Sequence, residues 1–240
     1  MAKQIRVPSL QHLARTWYDD PTRICKEYVK LAENTPRFNY NPLFGAVQDH
    51  LLFGQPYDQI KKGMELGVKR DEIRANFLEV LPLIRDHFEG IRPDYIQPVS
   101  TRYYPVGRGL MVPFIPPIYY AVDGKTYFPW FSFWRRNPLA NERLSLFATL
   151  VKEILADDPD LDDAKFEILD FSVPKGAEKR ELIVYDAASI AVIPDHEKVE
   201  MLSVFAEGFF LAQTELEGKP AEDKRDDDRP SDSDQDDLFD

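Results

Sequence analysis

A run of eight residues near the middle of the chain, "YFPWFSFW" at 127–134, restricts the fold more than any other segment. Its aromatic residues occupy both sets of alternating positions, so a strand of this sequence presents apolar side chains on both faces. A strand of this kind is typical of a sheet that is covered on both sides. The segment therefore predicts a central strand with other elements packed above and below it.

The residues before this segment have the pattern of helices. Apolar residues recur at helical spacing through most of 1–92, Ser9 and Pro21 are typical of helix starts, and Gly90 is typical of a helix end. The region 1–92 is therefore predicted to be helical.

The residues from 93 to 217 have a different pattern, in which strands alternate with helices. Asp123-Gly124 lies between two apolar runs and predicts a hairpin turn. Prolines 113, 116, 117 and 129 predict strands at sheet edges or bulges. A helix after Asn141, two further strands and a last helix complete the order. This order predicts an α+β protein, in which a mixed or antiparallel sheet flanked by helices packs on the N-terminal helices as one globular unit.

The last residues, 218–240, form an acidic tail. Residues 219–240 hold ten acids and four bases, and so supply half of the net charge of −12. A segment that is this polar and charged cannot bury enough apolar surface to fold alone, so we expect it to be disordered.

Several classes of protein are disfavoured by composition. A single cysteine, Cys25, excludes an internal disulfide and fits a reducing compartment. The first twenty residues lack the pattern of a secretory leader, and the longest apolar stretches are too short to span a membrane. We therefore expect a cytoplasmic protein with no membrane partner.

No metal site or cofactor is predicted. The spacing of Asp158, Asp160 and Asp162 resembles the start of a calcium loop, but Asp163 and Leu169 stand where that loop needs glycine and a bidentate acid. The four histidines are scattered, and no nucleophile elbow, phosphate loop or dinucleotide fingerprint is present.

The order of a helix, a three-stranded meander, a helix and a further strand resembles the core of the PD-(D/E)xK nuclease superfamily. That resemblance implies two acids and a lysine around a magnesium ion, and the nearest matches are Asp94, Asp123 and Lys125. The match is poor, because Asp123 and Lys125 flank a tight turn and the strand "YFPWFSFW" carries no acid. "EILDFS" resembles the related strand, but Ser172 occupies the lysine position.

The stretch 101–136 combines eleven aromatic residues with five bases and one acid. Aromatic faces stack on nucleobases and arginines bind phosphates, so a nucleic-acid groove is one interpretation. The other is that most of the rings belong to the core. Four arginines are the candidates to touch nucleic acid: Arg102, Arg108, Arg135 and Arg136.

The tail ends with "QDDLF" followed by Asp240. This pentapeptide resembles the motif by which many bacterial replication and repair proteins bind the DNA polymerase sliding clamp. Gln235, Asp237, Leu238 and Phe239 match it, whereas Asp236 replaces the usual apolar residue. The resemblance implies that Leu238 and Phe239 fill an apolar pocket on the clamp. The alternative is a solubilising acidic tail in which the Leu-Phe pair has no role.

These patterns favour a non-enzymatic accessory or adaptor protein in DNA replication, repair or a mobile element, which the tail recruits to the sliding clamp. The alternative function is a magnesium-dependent nuclease of the PD-(D/E)xK type, active or decayed.

Overall fold

The computed structural model describes residues 5–34 and 39–218, and this part of the chain has the predicted α+β class. Its seven α-helices are α1 (Leu10–Arg15), α2 (Pro21–Glu33), α3 (Asn41–Leu51), α4 (Tyr57–Gly67), α5 (Asp71–Phe88), α6 (Glu142–Ala156) and α7 (Asp195–Glu217). Its strands are β1 (Tyr95–Gln97), β2 (Arg102–Gly107), β3 (Leu110–Phe114), β4 (Tyr119–Val122), β5 (Lys125–Ser132), β6 (Lys165–Asp170) and β7 (Ile183–Asp186).

The main sheet has five strands in the order β1-β4-β5-β6-β7. Strands β1, β4 and β5 form an antiparallel meander, α6 crosses over, and β6 then lies parallel to β5. Strand β7 closes the other edge antiparallel to β6. The sheet is therefore mixed, and its one parallel pair is the one whose connection carries the crossover helix α6.

Strand β5 is the central strand that its sequence predicts. From Phe128 to Ser132 every residue is buried. On one face Phe131 contacts Phe88 of α5. On the other face Trp130 contacts Phe147 of α6. The two faces are covered by different helices, which explains why neither alternating set of side chains is polar.

Helix α6 is enclosed on nearly all sides. Six consecutive residues, 146–151, are buried, which a helix with one solvent face does not permit. Phe147 packs against the sheet, and it also contacts Phe114 of β3. The separate two-stranded sheet β2–β3 thus lies over the same face of the main sheet as α6.

The C-terminal helix α7 returns to the N-terminal region and crosses α2. Trp17 donates its indole N–H to the carbonyl of Met201 at 3.0 Å. Gly208 lies where the helices approach most closely, since a Cβ atom there would be 2.6 Å from Ile24 Cβ and 2.7 Å from the Pro21 carbonyl oxygen. A single hydrophobic core runs from the N-terminal helices through the sheet to this helix.

The stretch 101–136 contains four strands, β2 to β5, which belong to two separate sheets. Pro116 and Pro117 separate a first hairpin, β2–β3, from the main sheet, and β1 is too short to show periodicity. Pro129 lies inside the central strand, but it comes after Tyr127, the residue at which β5 makes its last pair with β4 (Tyr120↔Tyr127). Its missing N–H therefore falls where β5 has a locally free edge. The predicted turn at Asp123-Gly124 is present, with φ of 51° and 73°.

Among the described residues, no helix combines the length and the apolar character that crossing a membrane requires.

Candidate functional site

The four residues predicted to bind the clamp, Gln235, Asp237, Leu238 and Phe239, lie outside the described residues. What the structure does describe is the point at which the body ends. Leu216 is buried in the last turn of α7, while Glu217 and Gly218 are exposed. The described chain therefore ends at the surface of the body.

The residues proposed for a nuclease lie at one end of the main sheet. The backbone N–H of Asp94 donates to the Ala121 carbonyl at 2.8 Å, and Val122 pairs with Lys125 across the hairpin turn that contains Asp123. All three candidate side chains are exposed at this end. Within residues 5–34 and 39–218, no three His, Cys, Asp or Glu side chains are grouped closely enough to hold a metal ion.

The predicted nucleic-acid residues are spread over three places, and three of the four have acidic partners. Arg102 pairs with Asp158 near the start of β2. Arg108, at the turn between β2 and β3, lies 3.8 Å from a carboxylate oxygen of Glu207.

The other two arginines follow directly after Trp134. Arg135 donates to Glu79 of α5 at 2.9 Å. Arg136 is exposed and forms no ion pair with any acid in the described part of the chain. Of the four candidates, Arg136 is thus the one whose charge is not already neutralised.

Most of the aromatic residues in 101–136 belong to the core. Eight of the eleven rings are buried, Tyr119 and Tyr127 are half-buried, and Tyr103 is 60% exposed. The core interpretation is therefore correct for most of these rings. A few of them, however, border a pocket as well as the core.

This pocket lies beside the carboxyl end of β5 and has a volume of about 250 Å³. We call it the β5 pocket. Phe131 and Phe133 line it, and Phe44 of α3 packs edge-on against both rings, with centroid distances of 6.2 and 5.1 Å. Pro116 and Pro117 line it as well. The pocket exists because β4 stops pairing with β5 at Tyr127. The rest of β5, residues 128–132, therefore has no neighbouring strand on that side.

Several polar groups also border the β5 pocket. Asn41 and Gln48 of α3 are accessible to solvent, whereas Gln11, Trp130 and Ser132 are buried. The Gln11 Oε1, Trp130 Nε1 and Ser132 Oγ atoms have no hydrogen-bond partner in the described chain. No lysine, arginine, aspartate or glutamate is among the residues that line the pocket.

Buried polar atoms without partners are rare in folded proteins, because each costs about 1–3 kcal/mol. Three such atoms belong to residues that line one apolar pocket, which lies at the carboxyl end of a strand in a parallel pair, where ligand sites commonly lie.

A buried arginine holds the chain segments that follow β5 and β6. The Arg180 side chain donates to the carbonyls of Phe133, Trp134 and Phe171 at 3.0, 3.2 and 2.8 Å. It also donates to Asn76 of α5. Phe133 and Trp134 line the β5 pocket, so Arg180 fixes the backbone of two of its lining residues.

Asp170 ends β6 beside Ser132, its partner in the parallel register. Its carboxylate accepts hydrogen bonds from Asn137 Nδ2 at 2.7 Å and from the N–H and Oγ of Ser172, each at 3.1 Å. Burial nevertheless raises the pKa of the Asp170 carboxyl above its ordinary value. This cluster satisfies its own hydrogen bonds and positions the loop that follows β6.

A further polar cluster lies beneath α5. Glu167 is buried and accepts from Lys165 Nζ at 2.7 Å. Burial raises the pKa of the nearby Tyr120 hydroxyl and lowers the pKa of His87. On the face of β5 that is turned toward α5, Tyr127 lies next to this cluster, and β5 has no acidic residue on that face. The cluster therefore contains two carboxylates, Glu167 and Asp186, and both pair with Lys165.

Sequence reasoning did not find the β5 pocket. Its residues come from α1, α3, the 115–117 segment and β5, which are far apart in the chain. The one local signal was Ser132, the single polar side chain in the buried run "YFPWFSFW".

Comparison of the chain with models of known protein families gives no match, and no curated protein is found to be similar to it. Function must therefore be argued from the residues themselves.

Proposed function

We propose that this protein is a non-enzymatic accessory or adaptor in DNA metabolism, and that its C-terminal tail binds the DNA polymerase sliding clamp. The observation that carries the proposal is the pattern Gln235-x-Asp237-Leu238-Phe239, which resembles the clamp-binding pentapeptide of bacterial proteins. Two large apolar residues stand side by side in a segment that otherwise holds ten acids. Short extended motifs bind in this way, through a few anchors within a polar segment.

The energetics agree with a transient partner. Burying Leu238 and Phe239 together contributes roughly 3–6 kcal/mol before the cost of ordering the tail. The Gln235 amide adds polar contacts, so we expect a dissociation constant in the micromolar range. The end of α7 supports the proposal, since the last two described residues, Glu217 and Gly218, are exposed and do not lie in the core.

The test is binding of the full-length protein to a purified bacterial sliding clamp, measured by calorimetry or biolayer interferometry. Leu238→Ala combined with Phe239→Ala should weaken binding by about 100-fold or more, because both anchors are lost. Asp232→Ala combined with Ser233→Ala, a matched pair in the same tail, should leave the affinity unchanged.

A gain of affinity gives a sharper test. Asp236→Leu restores the apolar residue that the motif usually has, and should tighten binding by about 3- to 10-fold. Equal affinity of the wild type, the double alanine variant and Asp236→Leu would contradict the proposal.

The nuclease alternative has one observation in its favour. Apart from the hairpin β2–β3, which is inserted between β1 and β4, the elements α5, β1, β4, β5, α6 and β6 follow the order on which the resemblance to the PD-(D/E)xK core rests. Cleavage of plasmid DNA in the presence of magnesium, abolished by Asp94→Ala or Asp123→Ala, would support this alternative over the adaptor.

A further inference from the structure

We propose that the outward face of the β2–β3 hairpin is a docking surface for the chain's own C-terminal segment, and that it takes the apolar pair Leu238-Phe239. The surface and its occupant are then parts of one molecule. The docking does not require the sliding clamp, whereas its effect on clamp binding rests on the proposed function.

The β2–β3 hairpin has one buried face and one exposed face. Its inner residues belong to the core and are buried: Tyr104, Val106, Leu110, Val112 and Phe114. In the antiparallel register Tyr103 pairs with Pro113, and Pro105 pairs with Met111, so these four residues share the outward face. Tyr103 and Met111 are 60% and 46% exposed, and Ile115, directly after β3, is 49% exposed.

No charged side chain lies among these five outward residues. Arg102 and Arg108 stand at the two ends of β2, where they pair with Asp158 and Glu207. An exposed apolar surface that is bordered by polar groups is typical of a binding site. A proline in each strand also removes a backbone donor, so the hairpin is poorly suited to pair with an added strand. A partner must therefore bind to the face through its side chains.

Helix α7 brings the end of the described chain toward this hairpin. The helix packs against β2, and a carboxylate oxygen of Glu207 lies 3.8 Å from the Arg108 guanidinium at the hairpin turn. Leu211, one turn later on the same side of α7, is exposed. Gly218 comes eleven residues after Glu207, which is about 16 Å along a helix. The C-terminal segment therefore begins near the hairpin.

The C-terminal segment has the reach and the side chains to occupy the face. Leu238 comes 20 residues after Gly218, and a chain of that length spans up to about 70 Å. A body of this size has a radius of gyration of about 17 Å. Leu238 and Phe239 are the only large apolar residues in 219–240. A contact within one chain has an effective concentration on the order of millimolar, so even weak docking is populated.

Charge determines which end of the hairpin the acidic segment approaches. At the start of β2, Asp158 belongs to the loop 157–163, which holds further acids and repels an acidic segment. At the turn, the Arg108 side chain is 55% exposed and has a single acidic neighbour, Glu207. The turn end is therefore the more favourable approach.

One pair of anchors cannot occupy the hairpin and the clamp at the same time. The apparent affinity for the clamp falls in proportion to the fraction of molecules in which the pair is free. Removing the apolar face should therefore tighten clamp binding.

The exposed Met111 allows docking to be measured in the full-length protein without any partner. With carbon-13 in the methionine methyl groups, the Met111 signal should shift between the wild type and Leu238→Ala combined with Phe239→Ala, because the Phe239 ring no longer lies against it. Met64 and Met201 are buried and serve as internal controls. Met111→Leu assigns the signal. Asp232→Ala combined with Ser233→Ala should give the spectrum of the wild type.

Clamp binding by the full-length protein measures the competition. Tyr103→Gln combined with Met111→Gln should tighten binding by about 3- to 10-fold. Leu66→Gln, which changes an exposed apolar residue of α4, should leave the affinity unchanged. Weaker binding by the hairpin variant would assign the face to contact with the clamp itself and would overturn the proposal.

The methionine spectra separate docking from the function of the tail. A Met111 signal that is the same in the wild type and in the double alanine variant overturns the proposal, whether or not the clamp binds. A Met111 signal that changes with protein concentration and not with the tail assigns the face to a second copy of the chain, and also overturns it. A tail-dependent shift in a protein that does not bind the clamp upholds the docking and contradicts the proposed function alone.

Discussion

Asp170 shows how one side chain can be fully hydrogen-bonded and still be costly to ionise. Three donors from Asn137 and Ser172 reach its carboxylate, and the positive charge of Arg180 also favours the ionised form. Burial acts in the opposite direction and has the larger effect, so the pKa of Asp170 is raised. The side chain is therefore more easily protonated in the folded protein than in the unfolded chain.

This raised pKa predicts a pH dependence of stability. The folded state holds the Asp170 proton more tightly than the unfolded state, whose pKa is about 3.9. The contribution of Asp170 to the free energy of unfolding is therefore fully present when the pH is below the unfolded pKa. It is lost as the pH rises through the raised folded pKa. Asp170→Asn cannot titrate. We expect the free energy of unfolding of the wild type, relative to this variant, to fall as pH increases from about 3.5 and then to become constant.

Urea unfolding of both proteins at a series of pH values measures this difference. The comparison with Asp170→Asn cancels the contributions of the other carboxylates. A difference that is independent of pH, or that grows as pH rises, would show that burial does not dominate at Asp170.

At the scale of elements, the crossing of α2 and α7 depends on one missing side chain. Gly208 allows the backbone of α7 to approach Pro21 and Ile24 of α2. Gly63 of α4 is also in a helix, but a Cβ atom there would have no neighbour within 4 Å. The two glycines therefore differ in the space around them and not in their secondary structure.

The same substitution at these glycines should have opposite effects. Gly208→Ala should destabilise the protein by about 1–3 kcal/mol, because the methyl group overlaps Ile24 and the Pro21 carbonyl. Gly63→Ala should stabilise it by about 0.5–1 kcal/mol, since alanine loses less backbone entropy than glycine in a helix. Chemical denaturation followed by circular dichroism gives both values. Stabilisation by Gly208→Ala would mean that the helices are farther apart than described.

At the scale of the whole molecule, the helical region and the sheet region share one core. Arg180 joins α5 to the segments after β5 and β6, and α7 packs across α2. Neither region buries its apolar residues without the other. Phe88 of α5 packs on Phe131 of β5, and Tyr28 of α2 packs on Phe205 of α7.

We therefore expect residues 5–218 to unfold in a single cooperative transition. Trp17 reports on the N-terminal helices, and Trp130 and Trp134 report on the sheet. Tryptophan fluorescence and far-ultraviolet circular dichroism should give coincident urea curves. Two separate transitions would indicate that the helical region folds independently of the sheet.

The sequence alone was enough to predict the class of fold, because the signals for it are local. The two-faced apolar pattern of 127–134 predicts a covered central strand, and Asp123-Gly124 predicts its hairpin turn. Both are present, since side-chain alternation and turn conformation depend on neighbouring residues. The pentapeptide at 235–239 is likewise local, and it remains a prediction.

The β5 pocket and the ion pairs were decided only by the tertiary structure. Gln11 and Ser132 are more than 100 residues apart in the chain and border the same pocket because α1 packs near the free edge of β5. Arg102, Arg108 and Arg135 are cations in the sequence, but the fold brings Asp158, Glu207 and Glu79 to them. Local patterns determine which elements form, whereas the burial and the partners of a side chain depend on which elements pack together.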